Sequence, residues 1–391
     1  MDIGKLFRIA VTSFLLICCT AALSAQGYSA VPSAIADSVE VREKVAGDWF
    51  IESIASMRKL EPLILETSKG VSFRVSREET TLYTAVAVAP RAADGTYPVN
   101  GRGSWILYRD RNSGEPVRIR LYPGDSPEIY LQFFPGGRNS RAELYLYGAY
   151  PGRNVPLGVS FEKLYTLSSA ELLRLVRRDL LRKYAEPNPL DYDNTRKTIT
   201  LIRENLSRFE YVEDAAYDEN GRAVNIADGI LPVPPQTADT ESGKLDVNCS
   251  GFVKWIVDGI IKPLTGSFLK ISPLKTATVT GTNWLEGWEE KREPWFGLDW
   301  TRNLAAAAVS AYTGRNTLYP QSGVDVTSDF FAAVTTVNSA GERSLITDAG
   351  YVRNNGYDMR ILKPLLYMLA VTEPDRFYLG AVRSLYDGKK R

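Results

Sequence analysis

Short runs of alternating apolar and polar residues between about residues 45 and 165 limit most strongly what this chain can fold into. They are rich in aromatic and β-branched side chains and comprise VSFRVS (71–76), TLYTAVAVA (81–89), SWILYRD (104–110), VRIRLYP (117–123), EIYLQFF (128–134) and AELYLYGAY (142–150). Turn-forming residues separate them, among them Asp94-Gly95, Asn112-Ser113-Gly114 and Pro135-Gly136-Gly137. Alternation with a period of two is typical of strands with one buried face. We therefore predict a β-rich domain over residues 26–165, folded as an antiparallel sandwich or a barrel.

The predicted β-rich domain shows no catalytic grouping of residues. Its exposed faces suit the binding of a partner or a glycan, but a structural or targeting role explains the same pattern. We favour the structural or targeting role.

A change to helical periodicity predicts a helical connector over residues 166–230. Ser168 and Glu171 have the spacing of a capping box at the start of its first helix, and a second helix is predicted over 194–209. Arginines on the side of the first helix opposite its apolar stripe are typical of a solvated face rather than a nucleic-acid patch. Residues 231–244, rich in Pro, Ser and Thr, are predicted to be a linker.

The charge balance of the chain and its first residues indicate where the protein acts. The 391 residues include 47 basic and 46 acidic side chains, which argues against nucleic acid or a charged membrane surface as a partner. In residues 1–25, Lys5 and Arg8 precede an apolar run that ends in small residues, the pattern of a secretory signal peptide. Whether this signal is cleaved, lipidated at Cys18 or Cys19, or kept as an anchor stays open. No other apolar run approaches the ~20 residues of a membrane helix. We therefore expect an exported protein of the periplasm or cell envelope, without an integral membrane domain beyond the signal segment.

The stretch LDVNCSGFVKWIVDG (245–259) places Cys249, the only cysteine after the signal, ahead of an apolar run with helical spacing. Asp246 or Asn248 can cap this helix by accepting a hydrogen bond from a backbone N–H group of the first turn. The free N–H groups and the dipole of a helix start favour a thiolate and can stabilise an oxyanion. Gly251 allows the helix to approach a sheet closely. Cys249 is therefore a candidate nucleophile, and the alternative is a small buried hydrophobic residue.

The sequence NCSGFVKWIVDGI resembles the nucleophile motif of the NlpC-like cell-wall peptidases, a papain-like cysteine peptidase family. The resemblance implies an α+β papain-like domain over 245–391, hydrolysis of amide bonds in peptidoglycan stem peptides, and Cys249 as the nucleophile. Ser250 and Gly251 match the pair that starts the family's helix, whereas Asn248 stands where the family usually has aspartate. Members of this family often carry β-rich modules before the catalytic domain.

Histidine is absent from the sequence, although the family pairs its cysteine with a histidine base. We therefore expect a degenerate member, or one whose domain is incomplete at its C-terminus, that binds cell-wall peptide or an envelope protein. Two alternatives stay open. One is an active endopeptidase or amidase that uses Cys249, and the other is a structural envelope protein with an inert buried cysteine.

Tryptophans are concentrated between residues 255 and 300. Such residues can line a groove that binds sugar or peptide, or they can fill a core, which we favour. The groove candidates are Trp255, Trp284, Trp288 and Trp295. Asp299 and Arg302 are the nearest polar candidates for a cleft. With no histidine and one cysteine after the signal, we predict neither a metal site nor a cofactor.

Two further helices are predicted after the first of these tryptophans. One covers 299–314, is capped by Thr301 and ended by Gly314, and has the small residues needed to pack tightly against the helix of Cys249. The other covers 356–374 and is interrupted or restarted at Pro364.

Overall fold

A computed structural model describes most of the chain. It covers residues 38–176, 183–185, 187–230, 244–279, 296–328, 330, 334–337, 343–346, 349–382, 385–386 and 389–390. The predicted signal peptide and all but the last residue of the predicted linker lie outside these ranges, as do Trp284, Trp288 and Trp295.

Eight antiparallel strands follow one another through the N-terminal half, and each pairs with the next. They are β1 (Leu63–Glu66), β2 (Ser72–Glu79), β3 (Tyr83–Pro90), β4 (Trp105–Asp110), β5 (Pro116–Leu121), β6 (Ile129–Gly136), β7 (Asn139–Leu146) and β8 (Ala149–Pro156). All six predicted strand runs lie on this sheet, and the last one is divided between β7 and β8. The predicted turns are confirmed as well, because Gly95, Gly114 and Gly137 have φ angles of 86°, 76° and 77°, which glycine adopts without steric cost. These eight strands form one continuous sheet rather than the two stacked sheets of a sandwich.

Two strands from the C-terminal half extend the same sheet. The hairpin of β13 (Val334–Val337) and β14 (Arg343–Ile346) joins at β8, where Val334 lies opposite Ala149. The pairing uses the end of β8 that precedes Pro151 and Pro156, which have no backbone N–H to donate.

One face of the ten-stranded sheet is covered by helices and forms the first core. These helices are α1 (Val39–Val45), a π-helical turn (Ala46–Ile51), α2 (Ile54–Met57), a 3-10 turn (Glu162–Tyr165), α3 (Ser169–Leu175), and a 3-10 turn (Met359–Ile361) that leads into a helix at Leu362–Thr372. The last of these helices, together with Ile346 and Ile361, places C-terminal side chains among the buried residues of the sheet. Pro364 lies in its first turn, where a proline is tolerated. Of the two predicted alternatives, an interruption at Pro364 is wrong, whereas a helix that restarts there agrees with the α-helix that begins at Leu362 after the 3-10 turn.

Arg42 ties α1 to the chain that follows the sheet. Its side chain is buried and donates hydrogen bonds to the carbonyl oxygens of Tyr165 and Leu167, the second at 2.7 Å. Its guanidinium also lies 5.3 Å from the centre of the Trp105 ring. A buried charge needs such partners, because burying it without them costs several kcal/mol.

A second core, made of buried side chains between Ala216 and Ala308, lies among smaller elements later in the chain. They are α4 (Asp193–Asn205), a 3-10 turn at Pro189–Tyr192 and another at Leu206–Arg208, β9 (Phe209–Tyr211), β10 (Ala215–Tyr217), β11 (Ala223–Asn225), β12 (Leu245–Val247), α5 (Cys249–Thr265), α6 (Ile271–Leu274) and α7 (Phe296–Thr313). Strand β12 pairs in parallel with β9, and β10 pairs with β11 in a hairpin. Helix α7 packs against α5, as predicted. We number the final helix, Leu362–Thr372, as α8; β15 (Leu385–Tyr386) and β16 (Lys389–Lys390) follow it.

The predicted helix boundaries have mixed outcomes. The capping box of Ser168 and Glu171 is confirmed in both directions, and Gly314, with φ of 66°, ends α7 as expected. The Thr301 cap is wrong: α7 begins at Phe296 and the Thr301 hydroxyl donates to the Gly297 carbonyl at 2.9 Å, inside the helix. None of the described helices is both long and apolar enough to cross a bilayer.

Candidate functional site

Helix α5 begins at Cys249, and its start is built as the sequence predicts. The Asn248 side chain accepts a hydrogen bond from the Gly251 backbone N–H at 2.8 Å, so Asn248 rather than Asp246 is the cap. Cys249 is exposed, whereas the structural alternative required a buried thiol. The helix start therefore presents a thiol on its accessible side.

Strand β10 lies directly against this helix start. The Asn248 backbone N–H donates to the carbonyl oxygen of Ala215 at 2.9 Å. A Cβ atom added to Gly251 would lie 2.1 Å from the same oxygen, closer than any side chain can come. The expectation that Gly251 permits a close approach to a strand is confirmed, and β10 fixes the position of the first turn.

Helix α7 holds the same turn from another side. Trp300 is buried, and its indole N–H donates to the carbonyl oxygen of Ser250 at 3.1 Å. Its ring also packs on Phe296 with 5.5 Å between the ring centres. Trp300 is a positioning residue for the helix start that the sequence analysis did not single out. The concentration of tryptophans was the available signal.

Trp255 is the one groove candidate that the structure describes. Its ring meets Phe209 of β9 edge to face, with centres 4.9 Å apart, and Phe209 also contacts Phe252 at 5.1 Å. Trp255 is half-buried. It therefore packs against β9 and keeps part of its surface accessible, while the groove formed by all four tryptophans stays a prediction.

A carboxyl group precedes Cys249 on strand β12. Asp246 lies opposite Glu210 in the parallel pair of β12 and β9, and Glu210 bonds to Lys244 at 2.8 Å. Burial, and next the charge of Glu210, raise the pKa of Asp246 above its ordinary value. Burial and Asp246 likewise raise the pKa of Tyr217. A carboxylate with a raised pKa is a better proton acceptor than an ordinary aspartate.

The opposite side of α5 contains an ion pair that the sequence analysis missed. Lys254 and Asp258 are one helical turn apart and joined at 2.6 Å, and both side chains are fully buried. Asp258 also accepts the Leu269 backbone N–H at 2.8 Å. Burial lowers the pKa of Lys254 and raises that of Asp258, so each favours its neutral form more than it would in water. The signal was two charged residues in the apolar run FVKWIVDGII.

Asp299 and Arg302, the predicted cleft residues, belong to a polar network around α7. Asp299 accepts both the backbone N–H and the hydroxyl of Thr278, at 2.8 and 2.6 Å. Arg302 forms a two-pronged pair with Asp325, at 2.9 and 2.7 Å, and also donates to Asn354 at 3.0 Å. Both side chains are buried, which is typical of a bridge between chain segments rather than of groups that meet a substrate. Among the described residues, no His, Cys, Asp and Glu side chains group closely enough to hold a metal ion.

Comparison with known families gives one result. Residues 32–184 match the model of a family described as Domain of unknown function (DUF8515), a region that includes the eight-stranded meander and α1 to α3. Searches of curated proteins and of solved structures give no match to this chain.

Proposed function

We propose that this chain is an exported cell-envelope protein whose C-terminal part, a degenerate relative of the NlpC-like peptidases, binds cell-wall peptide or an envelope protein. The observation that carries the proposal is the start of α5. An exposed thiol stands on the first turn of a capped helix that is held on two sides by β10 and Trp300. A papain-like fold around α5 is part of this proposal.

The absence of histidine favours binding over hydrolysis. A nucleophile and its base act as a unit, and loss of the base lowers the rate by several orders of magnitude. For the alternative of an active enzyme, Asp246 is the candidate for a substitute base, because it lies three residues before Cys249 on the strand that leads into α5 and its pKa is raised. Hydrolysis would then proceed by attack of the Cys249 thiolate on a stem-peptide carbonyl, release of the amine, and hydrolysis of the thioester by water.

Incubation with purified sacculi tests the proposal. We expect the full chain to co-sediment with sacculi, and we expect Cys249→Ala to co-sediment to the same extent. Neither protein should release new muropeptide fragments. Failure to bind both sacculi and soluble stem peptides would reject a cell-wall ligand. Fragments released by the wild type but not by Cys249→Ala or Asp246→Asn would instead establish the active endopeptidase.

A substitution beside the helix start locates the bound peptide. Trp255→Ala removes the half-buried ring on α5. Tyr312→Ala is the control and removes an exposed ring at the C-terminal end of α7. We expect Trp255→Ala to weaken stem-peptide binding about tenfold, and Tyr312→Ala to leave it unchanged. Equal effects of the two substitutions would place the ligand elsewhere.

A further inference from the structure

The face of the sheet opposite the first core carries tyrosines and arginines in contact from strand to strand. We call Tyr108, Arg118, Arg120, Tyr130, Tyr145 and Tyr150 the tyrosine–arginine strip. Pairing in the sheet places Tyr108 opposite Arg118 and Tyr130 opposite Tyr145. Directly paired residues point to the same face, so the strip crosses β4 to β8 on one side of the sheet.

Both arginines of β5 lie between aromatic rings. The Arg118 guanidinium is 4.5 Å from the centre of the Tyr108 ring and 4.6 Å from that of Tyr83. Arg120 lies 4.4 Å from the centre of Tyr130 and donates from its Nε atom to Gln132 at 2.7 Å. Contacts of this kind hold the two charges in fixed positions on the sheet.

The tyrosines continue the strip toward β8. The rings of Tyr130 and Tyr145 stack with centres 4.6 Å apart and planes 15° apart. Tyr145 meets Tyr150 edge to face at 5.0 Å, and the Arg153 guanidinium lies 4.8 Å from the Tyr150 ring. With strands ~4.8 Å apart, the contacts from Tyr83 on β3 to Arg153 on β8 extend over roughly 24 Å.

The arginines of this face are not ion-paired with carboxylates among the described residues. In the part of the chain that the structure describes, Arg118, Arg120 and Arg153 have no carboxylate within ion-pair distance. Within the described residues the Arg118 guanidinium makes no hydrogen bond; its Nε atom is buried, so a ligand reaches this side chain through the terminal Nη groups. A fixed guanidinium with unused donors is suited to bind a carboxylate through two parallel hydrogen bonds.

An open groove adjoins the β8 end of the strip. Two shallow cavities of about 450 and 480 Å³ share Glu143 and Asn154 among their lining residues. The first also includes Tyr150 and Arg153, and the second includes Arg141. Arginines therefore outnumber the single carboxylate of Glu143 in this groove.

We propose that the tyrosine–arginine strip and this groove bind an acidic polysaccharide whose acid groups are carboxylates. Arg118 and Arg120 are two residues apart on one strand, about 6.6 Å, so that each can bind a separate carboxylate of an extended chain. Asn154, which is exposed, supplies an amide group for sugar hydroxyls. This binding site is independent of the site proposed at α5.

The packing of the rings favours a polysaccharide over single-stranded nucleic acid. Tyr130 and Tyr145 are 5% and 8% exposed because they stack on each other, so they cannot offer free faces to nucleobases. A sugar polymer needs only the edges of such rings together with the charged and amide groups beside them.

Titration calorimetry of the full chain with polygalacturonate tests this site. We expect salt-sensitive binding to this uronate polymer, at least tenfold weaker binding by Arg118→Gln/Arg120→Gln, and unchanged binding by Arg315→Gln/Arg353→Gln. The control pair removes the same total charge from exposed positions outside the sheet. Thermal unfolding of each variant establishes that it is folded.

Glu143→Gln gives a readout that loss of folding cannot imitate. Removing a negative charge from the groove should tighten polygalacturonate binding severalfold, because the like charge of Glu143 opposes the ligand. No binding of polygalacturonate, equal binding of neutral dextran, or equal binding of poly-glutamate would each overturn the proposal. If Arg118→Gln/Arg120→Gln and Glu143→Gln both bind polygalacturonate with the affinity of the wild type, the polysaccharide does not bind at the tyrosine–arginine strip.

Discussion

The buried pair of Lys254 and Asp258 shows how a single residue can control the stability of the helix that carries Cys249. Two ions leave water here, and Asp258 compensates by accepting bonds from both Lys254 and the Leu269 backbone. Such a pair adds little net stability, whereas removal of one partner leaves an unpaired buried charge.

We expect Asp258→Ala to lower the free energy of unfolding by about 3–5 kcal/mol, measured by urea titration. It leaves the Lys254 charge and the Leu269 N–H without their partner. The double variant Lys254→Met/Asp258→Leu should lose less than the single one, because no charge remains to be buried. Lys262→Met, at an exposed position of the same helix, should change stability by less than about 1 kcal/mol. A double variant as unstable as Asp258→Ala would contradict this account.

The sequence could not reveal this pair as buried. A lysine four residues before an aspartate on a helix is ordinarily a solvated surface pair. Its burial depends on the chain after α5 returning to place the Leu269 N–H against Asp258, which is a tertiary event. Cys249 and Asn248 were predictable because a cap is a local interaction, complete within four residues.

At the scale of elements, the contact of α5 with β10 depends on the absence of one side chain. We expect Gly251→Ala to destabilise the protein by about 1–3 kcal/mol, because the new Cβ cannot share space with the Ala215 carbonyl oxygen. Gly259→Ala is the matched control on the same helix, where nothing lies within 4 Å of the new atom. It should stabilise by about 0.5–1 kcal/mol through helix propensity. Urea titration measures both changes, and a shift of the same sign in both would refute the close contact.

Elements defined by local signals were predicted well, and those defined by distant contacts were not. The strands of the meander could be read from alternation and from glycine at the turns. The start of α7 was misplaced at Thr301, because a threonine in the first turns of a helix can bond to a preceding carbonyl as well as cap. The hairpin β13–β14 was not predicted, since its partner strand β8 lies far back in the sequence.

The whole molecule contains two hydrophobic cores that do not follow the order of the chain. The buried residues of the second core lie between Ala216 and Ala308, and the chain then returns through β13, β14 and α8 to the first core. The residues of the predicted domain 245–391 therefore contribute to both cores.

Hydrogen exchange can test whether the two cores unfold independently of each other. Leu365→Ala on α8 and Leu304→Ala on α7 each empty a buried site and should each cost about 2–5 kcal/mol. We expect Leu365→Ala to speed amide exchange in β6 and β7, and Leu304→Ala to speed it in α5 and β10. Faster exchange throughout the protein for both variants would show a single cooperative unit instead.

The prolines of β8 have a consequence for biosynthesis. A ribosome completes β8 long before it reaches residue 334, so the nascent sheet has a free edge throughout the synthesis of the second core. Free edges recruit strands of other chains, and prolines block such pairing because they lack an N–H group. Pro151 and Pro156 therefore hinder intermolecular pairing along most of the β8 edge during translation. The proline-free stretch at Ala149 remains available for pairing with β13, which is synthesised later.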